Sequence, residues 1–567
     1  MLTRYKVIFF MRIKHEYAFI HGKAPARQVA IRQKINQKVY ERTNMAKYLL
    51  KRLLHGLLSI IVVVAIVMIM IYSLLDRNLV FAADPVYTKM ANNQKEAYKY
   101  RLWEEYGYLD YVTYADYINE LCDNGTIDEQ TRDDVILFGR TAEADSDAVK
   151  EYVTKFNNFY SSKGYNVVRL DAKLAGGRKL AAGGQQQLFA WKDVPLYTRL
   201  AKYFTRIITV DNIHYVEDDI EDRGIKFTLH DPVYGGDKFS PAIIGNGTQH
   251  KYLLYFSKNF PWIHQNLVSI NLGKSYSVNS GVDVFTTMTQ TQGSYLMQTT
   301  YFPTGLVEPS ADDLHTATYV KDSLETSLVY TDRFTDDYTN VLTVKSGLSK
   351  MGYSFVIGIL ATILSYILGV PLGILMARKK DKLIDKIGTV YIVFIIAVPS
   401  LAYIFLFKAI GGKTGLPTTF DMDSSSKLMY ILPIISLALP SIASLMKWLR
   451  RYMIDQSNSD YVKFARSGGL SEGEIFTNHI LKNAAIPIIH GIPGSILFAM
   501  TGAIITERVY VVPGAGNLLT EAINKYDNGV IVGVVLFYAI LSVVSIILGD
   551  ILMSWVDPPI SFSTKAR

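Results

Sequence analysis

Tyr461-Val-Lys-Phe-Ala-Arg-Ser-Gly-Gly-Leu-Ser-Glu-Gly-Glu-Ile-Phe-Thr-Asn-His-Ile-Leu-Lys-Asn-Ala-Ala-Ile-Pro487 lies between two apolar segments and reads as helix, glycine break and capped helix. Gly468 and Gly469 are free to take the left-handed conformation that ends a helix. Ser471 is placed to cap the next helix, and Glu474, three residues on, completes a capping box. Pro487 stands where apolar sequence resumes. The spelling predicts a rigid elbow able to pass force into the segments that flank it.

Outward from this elbow, six segments are apolar over the ~20 residues that a bilayer crossing takes. They are roughly Leu53–Leu75, Tyr353–Met376, Gly388–Phe407, Leu428–Met446, Ala484–Ile505 and Val530–Met553. Buried core helices of a soluble protein would explain one such run, not six. Pro371, Pro399, Pro433, Pro440 and Pro493 fall in the second to fifth. Neighbouring helices can satisfy the carbonyls that proline frees, so these spans are expected in a bundle, with kinks.

Basic residues mark one side of the membrane. Lys47, Lys51 and Arg52 precede the first span; Arg378, Lys379, Lys380, Lys382 and Lys386 fill the gap between the second and third. Lys447, Arg450, Arg451, Lys463 and Arg466 follow the fourth, and Lys565 and Arg567 end the chain. With six spans all four groups share a side, which the positive-inside rule assigns to the cytosol along with both termini. Asp84 to Asn340 carries about 35 acidic and about 25 basic residues, roughly −10, against a whole-chain net of +8. This acidic block is expected outside. The basic balance therefore flanks membrane spans and does not point to nucleic acid. One cysteine, Cys122, among 567 residues excludes an internal disulfide and a cysteine-built metal site.

Residues 1–50 form a basic tail without a signal-peptide core, because Arg12 and Lys14 interrupt the short apolar run. Its first 44 residues either touch anionic lipid or lie upstream of a natural start at Met45. The outer block, 84–340, is long enough for its own core. Tyr252-Leu-Leu-Tyr-Phe256 and Val167-Val-Arg-Leu170 read as strands, Lys95–Tyr106 and Asp147–Tyr160 as helices, and Lys173–Gln187 as a loop. The fold class expected is a mainly α membrane protein with a large α+β outer domain between helices one and two.

Together these stretches resemble the permease subunits of bacterial oligopeptide ABC importers, specifically the Ami/Opp type with a long outer loop. The elbow resembles the family's EAA loop, with Lys463-Phe464-Ala465, Gly469 and Ile486-Pro487 at the aligned positions and only the alanine retained of Glu-Ala-Ala. Thr506-Glu507-Arg-Val509-Tyr510-x-x-Pro513-Gly514-x-Gly516-x-Leu518-Leu519, Asn271-Leu-Gly273-Lys-Ser275-Tyr, Pro371-Leu372-Gly373 and Asp557-Pro558 match further family segments in order. Residues 85–250 carry little recognisable motif.

The resemblance implies a six-helix permease core, 51–76 and 351–557, with a cytosolic coupling loop at 447–487 and a short cytosolic tail at 558–567. It implies that Gly469–Asn478 is a coupling helix docking into a cytosolic ATPase, with Ala465, Arg466, Gly469, Leu470, Ser471, Glu472, Glu474 and Pro487 as coupling residues. The implied partners are a second homologous permease, two cytosolic ATPases that bind ATP and magnesium, a lipid-anchored peptide-binding protein outside, an oligopeptide and membrane lipid. No cofactor, metal or catalytic residue is expected in this chain, and no nucleic acid.

Gly412-Lys413-Thr414 is no phosphate loop, since Phe407 stands where that motif requires glycine. The acidic run Glu217–Asp222 lacks calcium-loop spelling and reads as a solvated charge run. Glu507 and Asp550, near the ends of spans five and six, read as surface groups or as partners between subunits, with a pathway role as the competitor. Two rival functions remain. A membrane sensor would explain the first two spans and the outer block, but no cytosolic segment exceeds about 50 residues, too short for a catalytic domain. An ion-driven secondary transporter would leave the elbow unexplained.

Overall fold

A computed structural model describes residues 25–556 apart from 91, 140–146, 171–187, 211–212, 217–221, 257–262, 423 and 425. The basic tail before residue 25, the 173–187 loop, most of the acidic run and the Asp557-Pro558 segment lie outside the described residues.

The membrane part is helical. α1 (Pro25–Leu74) leads into the 84–340 block, the outer block of the sequence reading, after which come α2 (Lys350–Arg378), α3 (Leu383–Ala397), α4 (Ser400–Lys413) and α5 (Ile431–Ser457). The elbow helix α6 (Asp460–Ser467) is followed by α7 (Glu472–His490), α8 (Ile492–Tyr510), α9 (Ala515–Asn524) and α10 (Asn528–Val556). Among the described residues, α1, α2, α5 and α10 are long and apolar enough to cross a membrane unaided, or six spans if each bent pair counts as one.

The third apolar segment is not one straight span. α3 and α4 meet at 108°. The break falls at Val398-Pro399: Val398 is extended (φ −86°, ψ 129°) and Pro399 caps α4. Proline has no N–H for the helix ladder and pushes its predecessor out of helical conformation. α7 and α8 bend by 43° at Gly491. Pro371 and Pro440, in contrast, lie inside unbroken α2 and α5. α2, α5 and α8 share an apolar core containing Ile357, Ala361, Leu437, Ala443 and Ala503. α2 and α5 approach closely at Gly369 and Gly373, where an added Cβ would stand 3.0–3.3 Å from Leu445, Leu449 and Met446.

The outer block is α+β. A three-stranded antiparallel sheet, order β1-β3-β2, comprises β1 (Leu109–Thr113), β2 (Asn166–Arg169) and β3 (Leu188–Asp193). Its core is built from Tyr114, Tyr117, Phe156 and Tyr160, from the helices Tyr114–Asp123 and Asp147–Ser162. A four-stranded antiparallel sheet follows in simple order: β4 (Gly224–Thr228), β5 (Ala242–Asn246), β6 (Tyr252–Phe256) and β7 (Ile263–Gln265). The strands and helices read from the sequence are present within a few residues of their expected ends.

The block is fastened to the head of α10. Buried Asp527 accepts hydrogen bonds from Ser275 Oγ (2.6 Å), Ser277 N (3.0 Å) and Val278 N (2.9 Å). A Cβ on Gly529 would lie 2.3 Å from the Lys274 carbonyl oxygen, so the loop backbone rests directly on the helix. Of the Asn271–Tyr276 stretch, the Lys274 carbonyl and the Ser275 hydroxyl make this contact.

Candidate coupling elbow

α6 ends in a Schellman turn. Leu470 N donates to Ala465 O (3.3 Å) and Gly469 N to Arg466 O (3.1 Å), with Gly469 at φ +84°. Gly468 stays right-handed at φ −77°, so only Gly469 supplies the left-handed step. The capping box is formed: Glu474 N donates to Ser471 Oγ (3.3 Å), and Ser471 N donates to Glu474 Oε2 (3.0 Å). Arg466 bridges the turn to Glu472 through Nε (2.6 Å) and Nη2 (3.2 Å).

The helix after the turn does not stop at Asn478. It continues from Glu472 through a π-helical stretch, Ile475–Leu481, into Lys482–His490. Pro487 therefore sits within α7, exposed, and not at a boundary. The stretch expected as a separate coupling helix, Gly469–Asn478, is instead the glycine turn after the short helix α6 together with the first residues of α7.

The inner face of the elbow is closed. Val462, Ala465, Ile475, Ile480 and Ala484 pack with Leu449 and Met453 of α5 and against Val370 and Ile374 of α2. Full burial of Val462 and Ile475 is worth about 1.5–3 kcal/mol each. At the base, Arg450 of α5 holds Asp385 of α3 through two parallel bonds, Nε at 2.5 Å and Nη2 at 2.7 Å. Asp385 is buried, so this pair fixes α3 to the helix that carries the elbow.

The outer face is open. Phe464 is 79 % exposed and Leu470 43 %. Arg466, Ser471, Glu472 and Glu474 are exposed beside them, and Ala465 faces the core. An apolar pair ringed by charges on a rigid bend is suited to inserting into a partner's cleft. Phe464 escaped the sequence reading because the loop comparison gave it only a position; its exposure is what singles it out.

Two carboxylates stand differently from expectation. Glu507 is fully buried: its Oε1 accepts from Ser354 Oγ, whose oxygen in turn accepts from Ala515 N (2.8 Å), and its Oε2 accepts from Asn517 N (3.0 Å). A Cβ on Gly514 would lie 2.3 Å from the Glu507 carboxyl carbon. The Glu…Gly-x-Gly spelling thus describes a loop folded onto one buried carboxylate, and no surface group. Asp550 is paired within the chain: Arg52 Nε lies 3.2 Å away, Tyr48 Oη donates at 2.9 Å and His490 Nε2 stands at 3.5 Å. It gathers α1, α7 and α10 at the end opposite the outer block.

A model of the binding-protein-dependent transport system inner membrane component matches residues 369–562. Over 529 residues the chain is 32 % identical to the oligopeptide transport system permease protein AmiC of Streptococcus pneumoniae serotype 4, spanning 92 % of this chain and 99 % of that relative. It is 31 % identical over 222 residues to the dipeptide transport system permease protein DppB of Lactococcus lactis subsp. cremoris, covering 39 % of this chain and 73 % of the relative. With DppB of Bacillus subtilis the identity is 28 % over 215 residues, 37 % of this chain and 68 % of the relative.

Proposed function

The chain belongs to the permease subunits of bacterial binding-protein-dependent oligopeptide ABC importers, and from that premise we propose that the 461–487 elbow is where cytosolic ATPases grip it. The observation that carries this reading is the division of the elbow into two faces. Its inner face shares a core with α2 and α5. Its outer face presents Phe464 and Leu470.

In this reading two ATPase subunits bind ATP and magnesium, and this chain catalyses nothing itself. Their closure displaces the elbow. Because the elbow is packed onto α2 and α5, and α5 is clamped to α3 through Arg450 and Asp385, the displacement reaches three helices together. A second permease of similar core supplies the other half of the peptide pathway. The basic flanks support a cytosolic elbow and an outer block on the far side, where a lipid-anchored peptide-binding protein delivers cargo. The anchoring of the block on α10 supports its place at the outer mouth of the pathway.

The test is Phe464→Asp in the assembled transporter. Uptake is expected to fall at least tenfold with the outer block still folded, since the substitution places a charge in the docking cleft. Undiminished uptake would count against this role.

A further inference from the structure

The outer block contains a cleft of about 1060 Å³ that the coupling mechanism does not use. Its floor is one face of the four-stranded sheet, with Lys226, Ile244 and Tyr252 side by side in register on β4, β5 and β6. Tyr301, Phe302 and Phe334 wall it. At the β6 side, Asp336 Oδ2 accepts from Lys251 Nζ (2.9 Å) and Oδ1 accepts from Tyr338 N (3.2 Å). Its side chain remains 29 % exposed, and a carboxylate has lone pairs beyond these two bonds. At the other margin runs β4, which among the described residues has a sheet neighbour only on its β5 side. Asp222 through Lys226 line the cleft there.

We propose that this cleft binds an extended oligopeptide lying across the strands, its free N-terminal ammonium at Asp336 and its chain reaching β4. The chemistry matches such a ligand at each point. The Asp336 carboxylate, already holding Lys251, has lone pairs left for a second cation. Aromatic walls take side chains of varied kind. Distance sets a minimum length. From β6 to β4 is two strand spacings, roughly 10 Å. An extended chain advances about 3.3 Å per residue, so about three residues span the cleft. The inference rests on the importer reading above and adds a cargo subsite within the permease itself, ahead of the membrane pathway.

The test uses the full-length chain in lipid nanodiscs and isothermal titration calorimetry. The probes are a hexapeptide of alanine and phenylalanine with free termini, its N-acetylated form, and the dipeptide alanyl-phenylalanine. Saturable binding of the free hexapeptide is expected, weakened at least tenfold by N-acetylation, by Asp336→Asn, and for the dipeptide. Tyr301→Ala, which leaves the Lys251–Asp336 pair intact, should weaken binding several-fold with unchanged thermal unfolding. No binding to the parent chain, or binding indifferent to acetylation, Asp336→Asn and Tyr301→Ala, would overturn the proposal. So would cleft variants that leave peptide binding intact but lose capture of the peptide-binding protein, since the cleft would then be a protein-docking surface. Uptake by the assembled transporter is measured in parallel. Uptake without cleft binding overturns only this subsite, whereas absence of uptake in the parent complex bears on the importer reading.

Discussion

Arg450 and Asp385 form a two-point ion pair between α5 and α3, with the carboxylate buried and the guanidinium partly open. The pair stands at the foot of the elbow, ten residues before α6 begins. Removing the arginine strands a buried charge, which costs about 3 kcal/mol. Arg450→Ala should lower the thermal unfolding midpoint, and Arg450→Lys should recover part of the loss, because lysine keeps the charge but not the fork. A double variant, Arg450→Ala with Asp385→Ala, should lose less than the sum of the singles. Additive losses would mean that the pair does not couple the helices.

Gly468 and Gly469 are adjacent and differ in what they tolerate. Gly469→Val forces a β-branched residue to φ +84°, at a cost of about 1–3 kcal/mol. Gly468→Ala needs no unusual conformation, and its Cβ would meet only the Ala465 and Phe464 carbonyls at 3.5 Å. Peptide uptake per ATP hydrolysed should fall sharply for the first and hold for the second. Equal effects at both positions would remove the left-handed turn from the argument.

Glu507 organises the loop after α8. Glu507→Ala leaves Ser354 Oγ and the Asn517 amide without their acceptor, a loss of about 2–3 kcal/mol. Gly514→Ala should be at least as damaging, because its methyl would collide with the carboxylate. Both are read as lowered unfolding midpoints of the purified chain; Gly473→Ala, with nothing within 4 Å, is the neutral control.

The outer block should lose stability as pH rises above 6.5. His315 stacks on Tyr255 (ring centroids 4.2 Å, 2° between planes) and lies 2.7 Å from Asp231 Oδ2 and 3.2 Å from Asp313 Oδ1. Burial pulls its pKa down, but the hydrogen bonds to the two carboxylates outweigh burial and hold it above the ordinary 6.5. A folded pKa above the unfolded one gives stability that is complete below the unfolded value and lost as pH rises through the folded value. Hydrogen exchange of β6 and its neighbours should therefore quicken on raising the pH beyond the intrinsic rate increase, and His315→Gln should abolish that extra dependence. An identical profile in the variant would contradict the assignment.

Much of the architecture was legible because its causes are local. The Ser471–Glu474 box, the Gly469 stop and the long apolar runs are set by residues within a few positions of one another. Pro399 announced a disturbance, but its 108° consequence depends on how α3 and α4 pack on α5, which spacing does not encode. Glu507 and Asp550 were misplaced for the same reason. Their partners Ser354, Arg52 and Tyr48 lie more than 150 residues away. Phe464 differs again: its exposure follows from which face of α6 meets α5, and an isolated eight-residue helix does not reveal that.

The most direct test of the central claim is thiol labelling of the elbow in sealed cells. Cys122 is the chain's one cysteine, so Cys122→Ser gives a clean background for Ser467→Cys. The account predicts no reaction with a membrane-impermeant maleimide until the membrane is permeabilised, and reaction afterwards. Labelling of residue 467 in intact cells would place the elbow outside, beyond reach of any ATPase, and contradict the account.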